Sequence, residues 1–246
     1  MAPGSICPTS YAYVPRANTA ERKILTAWHP VWHLPILRAE PLKITTWAYN
    51  GDNSIYCAPM TAKVGVNPIG VLCQRTEQGT TDTTGGAGYT AVAVGNPRIW
   101  KYKYNSLGQV LTIDGPRTDV ADVTTYSYYP CSTGAKCGQI YQIQNAAGQV
   151  TTVNTYNGNG QPLTITDPNG VITTLGYDPR YRLHTKQISA PNEPTFSTEN
   201  TTYDYWPTGQ LKKVTLSDLS FLTISYNAGH QLTALVPVLR TDFSFG

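Results

Sequence analysis

A tyrosine followed by three residues and then a glycine returns along this chain. It limits the possible folds more than any other feature. Tyr104-Asn-Ser-Leu-Gly108-Gln-Val recurs as Tyr156-Asn-Gly-Asn-Gly160-Gln-Pro and as Tyr205-Trp-Pro-Thr-Gly209-Gln-Leu. Looser copies are Tyr177-Asp-Pro-Arg-Tyr181-Arg-Leu and Tyr226-Asn-Ala-Gly-His230-Gln-Leu, and Tyr49-Asn-Gly-Asp-Asn53 keeps only the opening. Between copies lies a second turn signal: Asp114-Gly115, Asn145-Ala-Ala-Gly148, Asp167-Pro-Asn-Gly170 and Asp218. The step is about 21 to 28 residues, in the range of repeat architectures.

Each unit reads as two short strands and two turns. Ile99 to Tyr104 alternates strictly, with Trp100, Tyr102 and Tyr104 on one face and Lys101 and Lys103 on the other. Val150-Thr-Thr-Val153 and Leu163-Thr-Ile165 are β-branched runs bounded by turn residues. Gly108, Gly160 and Gly209 stand where a hairpin loop needs a final residue of positive φ. Tyr104, Tyr126, Tyr156, Tyr177, Tyr205 and Tyr226 are the expected repeat core. A lone hairpin is marginal in water, so neighbouring units must pair edge to edge to shelter a shared apolar face. The expected fold is all-β, an antiparallel hairpin ribbon.

Composition agrees. Only 13% of residues are charged, against ~25% in ordinary soluble domains. With 17 Tyr, 21 Gly and 18 Pro, the chain is neither a helical bundle nor a charge-driven disordered segment. A net charge of +3, dispersed along the chain, gives no argument for nucleic acid. Lys101 and Lys103 read as a solvated strand face. There is no apolar run long enough for a membrane-spanning helix, and no Sec-type signal in Met1 to Val14.

Three stretches interrupt the repeat. Residues 1–25 carry no copy. Residues 57–98 read as a cysteine-bounded insertion and a flexible loop containing Thr80 to Gly88. Residues 236–246 form a non-repeat tail, leaving 26–235 as the array. The five cysteines include no CxxC and no Cys/His quartet, which argues against zinc. Cys131 with Cys137, and Cys57 with Cys73, are expected to face each other, leaving Cys7 over.

Catalytic constellations are missing from the sequence pattern. Asp114, Asp167, Asp178 and Asp204 lie in or beside turns, where Asp binds its own backbone. His29 and His33 have metal-like spacing but no third ligand nearby. His230 takes a turn position, and His184 reads as an outward strand residue. Gly85-Gly86-Ala-Gly88 lacks the Lys-Ser/Thr of a phosphate loop. No catalytic residue, metal or cofactor is assigned.

The Tyr-x-x-x-Gly-[Gln/Arg]-Leu signature, alternating with Asp-Pro-Asn-Gly and its variants, resembles the YD repeats of the RHS family. That family comprises bacterial polymorphic-toxin shell proteins and the related teneurin shells. The likeness runs from about Thr26 to Leu235 and is densest over Arg98 to Leu232. Tyr126 to Cys131, with Cys137-Gly-Gln-Ile, resembles a cysteine-bearing variant hairpin of such arrays. The resemblance implies a ribbon that curls into an open or partial shell, here a partial array. It also implies further YD-repeat segments or an encapsulated toxin domain as partners, at the cell surface or outside the cell. Asp167-Pro-Asn-Gly170 sits within the array as a turn, away from where family cores carry an autoproteolytic segment. The expected role is structural and non-enzymatic. The alternatives are a cell-surface module binding carbohydrate or protein, with Trp100 and Tyr102 as glycan-stacking residues, and a fragment without activity of its own.

Overall fold

The computed structural model describes residues 9–12, 22–131, 134–193 and 195–239. Cys7 lies outside them. The chain divides into two compact units, Met1–Tyr126 with Asn145–Ala147, and Ser127–Gln144 with Gly148–Gly246.

The first unit carries β1 (Thr9–Ala12), β2 (Lys23–Trp28), β3 (Pro35–Glu40), β4 (Lys43–Tyr49), β5 (Lys63–Val64), β6 (Asn67–Pro68), β7 (Leu72–Thr80), β8 (Ala93–Tyr104) and β9 (Val110–Asp114). It also holds most of β10 (Val123–Tyr128). Apart from the β5–β6 hairpin, each strand pairs antiparallel with the next in the order β1-β2-β3-β4-β7-β8-β9-β10. The second unit continues in the same way through β11 (Ile140–Gln144), β12 (Val150–Tyr156), β13 (Pro162–Thr166), β14 (Ile172–Tyr177), β15 (Leu183–Ser189), β16 (Glu199–Tyr205), β17 (Leu211–Thr215), β18 (Phe221–Tyr226) and β19 (Leu232–Val238). Every successive pair from β11 to β19 is antiparallel. Among the described residues no helix is long and apolar enough to cross a membrane.

Burial is thin, because the sheets are formed of hairpins with little packed against them. The buried apolar residues are chiefly small or central ones such as Ala27, Ala39, Val153 and Ile224, while most strand positions are half-buried. Tyr49 is the exception, a large ring at 5% exposure. Stability therefore leans on backbone ladders, turns and cross-strand pairs more than on a two-layer core.

The Thr/Gly-rich run is folded more tightly than its composition suggests. β7 and the start of β8 lie within the segment 57–98 expected to hold an insertion and a flexible loop. Between them, the Asp82 carboxylate accepts hydrogen bonds from the amides of Thr84 (3.1 Å), Gly85 (2.9 Å) and Ala87 (2.9 Å). Those bonds hold the Asp82 carboxyl below the usual carboxylate range, against an opposing desolvation effect that is the largest single influence. The run then docks on its neighbours, with Lys23 N donating to Thr84 O (2.8 Å) and Leu42 N to Asp82 O (2.6 Å). Gly85 and Gly88 are needed here, since a side chain on either would meet Lys23 O or the Leu25 side chain.

Candidate functional site

The feature that recurs through both units is a tyrosine joined to a turn. In 157–161 the Asn157 amide donates to Gln161 O (2.9 Å) and the Gly160 amide to Asn157 O (3.1 Å). The Asn157 side-chain oxygen accepts from the amides of Asn159 and Gln161, both at 3.0 Å. The same pattern holds at Asn105, Asp167, Asp178 and Asn227. The side chain thus satisfies amides that the hairpin ladder cannot reach, which is why Asn or Asp opens the turn. Gly108, Gly160 and Gly209 all have positive φ, as do Gly148 and Gly170 in the alternate turns. Each is the last residue of a three-residue hairpin loop. Tyr181, His230 and Leu219 take that conformation without being glycine, at φ 62°, 62° and 67°.

The tyrosines are placed by a bulge. Register shifts fall immediately before Tyr104, Tyr156, Tyr177, Tyr205 and Tyr226. The bulge turns each ring so that its hydroxyl reaches back along the sheet. Tyr49 donates to Pro35 O (2.8 Å), Tyr104 to Leu72 O (2.8 Å) and Tyr156 to Ile140 O (2.7 Å). Tyr177 donates to Pro162 O (3.0 Å) and Tyr205 to Leu183 O (2.7 Å). In each case the acceptor is the first residue of the preceding hairpin's return strand. Burial pushes the Tyr104 phenol up to about 12, with Tyr102 adding to it. Burial likewise raises the phenols of Tyr49, Tyr156, Tyr177 and Tyr205.

Two positions differ from the sequence reading. Tyr126 does not hold the repeat position in its hairpin. Tyr128 does, because it immediately precedes Tyr129, whose amide opens the turn by donating to Gln139 O (2.9 Å). The alternating Tyr126-Ser-Tyr128 left two candidates on one face, and the register of the turn decides between them. Trp28 occupies the same place in β2, after a bulge and opposite Pro35. An alternation ending in an aromatic ahead of Pro30 was its only sequence signal.

The two disulfides stand where this turn is enlarged. Asn50 N still donates to Val71 O (2.9 Å), and residues 50–71 replace the short turn. Cys57 is bonded to Cys73, their Cα atoms 5.3 Å apart. In 129–139, Gly138 keeps the positive φ of the turn glycine, and Cys131 is bonded to Cys137 across a Cα separation of 4.0 Å. Asn50, 1% exposed, anchors the larger turn: its side-chain oxygen accepts from the amides of Cys57 (3.0 Å) and Ala58 (3.2 Å), and its Nδ2 donates to Ile69 O (3.3 Å).

Other candidates fall into structural roles. His29 Nδ1 accepts from the amides of Val31 (3.2 Å) and Trp32 (3.1 Å), so Nε2 carries the proton that meets Asp52 Oδ1 at 3.0 Å. His33 is at positive φ, and no group of three or more metal-ligating side chains occurs among the described residues. Trp100 is flanked by guanidinium groups, those of Arg75 at 4.7 Å and Arg98 at 5.1 Å from the ring centroid. They stand over the ring surface that a sugar would stack on. Arg75 is paired with Glu77, and Glu40 pairs with Arg38 of its own strand (3.0 Å) and with Lys43 of β4 (3.2 Å).

The RHS Repeat family model matches residues 156–193. Among solved structures, the chain is similar to TcdB2-TccC3 without its hypervariable C-terminal region, at 16% identity and a TM-score of 0.55 over 90% of this chain. It is also similar to TcdB2-TccC3-Cdc42, at 14% identity and a TM-score of 0.52 over 87% of this chain. It spans only 10% and 13% of those two chains. No curated protein sequence matches it.

Proposed function

We propose that this chain, whose residues 156–193 match the RHS Repeat model, is a non-enzymatic structural segment of an RHS-type shell, which encapsulates or scaffolds a secreted toxin. The array runs over residues 26–235 and acts at the cell surface or outside the cell. Its partners are further YD-repeat segments and the enclosed toxin domain.

The observation that carries this reading is the tyrosine-turn unit. At Tyr49, Tyr104, Tyr156, Tyr177 and Tyr205 the hydroxyl ties one hairpin to the hairpin before it, so the unit builds sheet from sheet. A glycan-binding role draws little support from Trp100, whose ring is already engaged by Arg75 and Arg98.

The test is to tether a protease-sensitive reporter domain to the chain and to mix it with a repeat-bearing polypeptide encoded beside it. Assembly into larger particles that shield the reporter from protease is expected. A chain that stays monomeric and leaves the reporter fully exposed would overturn the reading.

A further inference from the structure

The enlarged turn at 50–71 does more than connect β4 to β7. At Tyr104, Tyr156, Tyr177, Tyr205 and Tyr226 the repeat makes the same connection with a three-residue loop. Here the added residues are built into a wall, with Cys57 bonded to Cys73 on β7 and the Tyr104 amide donating to Cys57 O (2.8 Å). A buried asparagine side chain fixes the amides of Cys57 and Ala58. Ile55 and Tyr56 of this wall, with Gln74, Lys101, Lys103 and Asp114 of β7, β8 and β9, line a groove of about 490 Å³.

The groove carries two lysines against one carboxylate, Asp114. Arg38 and Lys43 share Glu40, Arg75 has Glu77, and Arg98 lies over Trp100. Those are the other cations of β3, β4, β7 and β8. Lys101 and Lys103 are exposed and have neither an ion pair nor a ring partner among the described residues. They sit on one strand face two residues apart, with Gln74 and Asp114 directly opposite Lys101 and Thr112 opposite Lys103. Beside them Tyr56 is 62% exposed, a large ring held at the edge of a basic groove by a cross-linked loop.

We propose that this groove binds a small organic anion. Its acidic group, carboxylate or phosphate, is held between the ammonium groups of Lys101 and Lys103, while its flat or apolar body lies against Tyr56 and Ile55. Asp114 is placed to accept a hydrogen bond from a ligand hydroxyl and disfavours a second acidic group at that end.

Isothermal titration calorimetry of the full chain with phenyl phosphate, benzoate and neutral phenol tests this. Saturable binding of the two acids is expected, weakening as salt is raised, with none for phenol. The stronger of the two acids identifies the acidic group. K101A/K103A is expected to weaken binding at least tenfold, and K101R/K103R to retain most of it. K101Q/K103Q provides a second charge-free pair, and an unchanged thermal melt certifies each variant as folded. The proposal fails if neither acid saturates, if K101A/K103A binds as tightly as the parent, or if R75A on the opposite face abolishes binding instead.

Discussion

At the scale of single residues, the turn and the tyrosine each make a measurable claim. Leu219 sits at φ 67° in a position that other units give to glycine, and its side chain is 62% exposed. A left-handed conformation costs a non-glycine residue about 1–2 kcal/mol, and glycine's greater unfolded freedom returns about 0.5–1. Leu219→Gly should therefore stabilise the protein by about 0.5–1 kcal/mol, and Gly160→Ala should destabilise it by a similar amount, both read from denaturant melts. The tyrosines set a limit on the alkaline side. Their folded pKa values lie above the unfolded value of about 10, so their contribution is fully present below pH 10. It is lost as pH rises toward the folded value, which for Tyr104 is about 12. The protein should lose stability steeply between those limits. Tyr104→Phe should make that slope shallower while costing about 1 kcal/mol at neutral pH, through the carbonyl of Leu72 left without its donor. An alkaline slope unchanged by the substitution would show that the hydroxyl is not held as described.

At the scale of elements, enlarged turns show how the repeat tolerates insertion. Both keep the closing backbone bond of the short turn, Asn50 with Val71 and Tyr129 with Gln139, and both are cross-linked. Removing the larger cross-link frees a loop of sixteen-residue separation in the unfolded chain, which the chain-entropy treatment values at ~3 kcal/mol. C57S/C73S should lower stability by about that much, and when both proteins are reduced, so that Cys131–Cys137 is open in each, the parent should melt as the variant does. The variant should also weaken acid binding in the groove, because the wall carrying Tyr56 loses its tie to β7. What sequence conveys at this scale is uneven. The turns were legible because Asn, Asp and Gly at fixed offsets have local causes, namely side-chain acceptance of amides and positive φ. The choice of Tyr128 over Tyr126 was not legible, since both alternate onto one face and only the bulge and the closing bond distinguish them. Nor was the groove, because Lys101 and Lys103 form an ordinary solvated pair until a distant insertion is folded over them. The run Thr80 to Gly88 read as a flexible loop for the same reason: its order comes from Asp82 gathering amides and from contacts with Lys23 and Leu42, which no local pattern announces.

At the scale of the molecule, the consequence of pairing each strand with its sequence neighbour is that stability accrues locally. A two-layer domain buries one shared core, so removing its last hairpin exposes surface everywhere. Here the tyrosine of one hairpin bonds the carbonyl of the hairpin before it, and β11 to β19 follow one another without a long crossover. Repeat arrays of this type behave as a sum of unit stabilities and nearest-neighbour terms. A chain ending at Thr215, which removes β18 and β19, should accordingly keep the ladder from β11 to β16. Its losses should be confined to β17, the new edge, and to the groove at Trp206, which Tyr226 and His230 help to line. Amide hydrogen exchange reads this directly. Protection in β12 to β15 should match the parent within about threefold, and protection in β17 should fall towards that of an exposed hairpin. Uniform loss of protection across the second unit would mean that its strands share one cooperative core, and the tyrosine-turn unit would then be ornament on an ordinary β domain instead of the element that builds it.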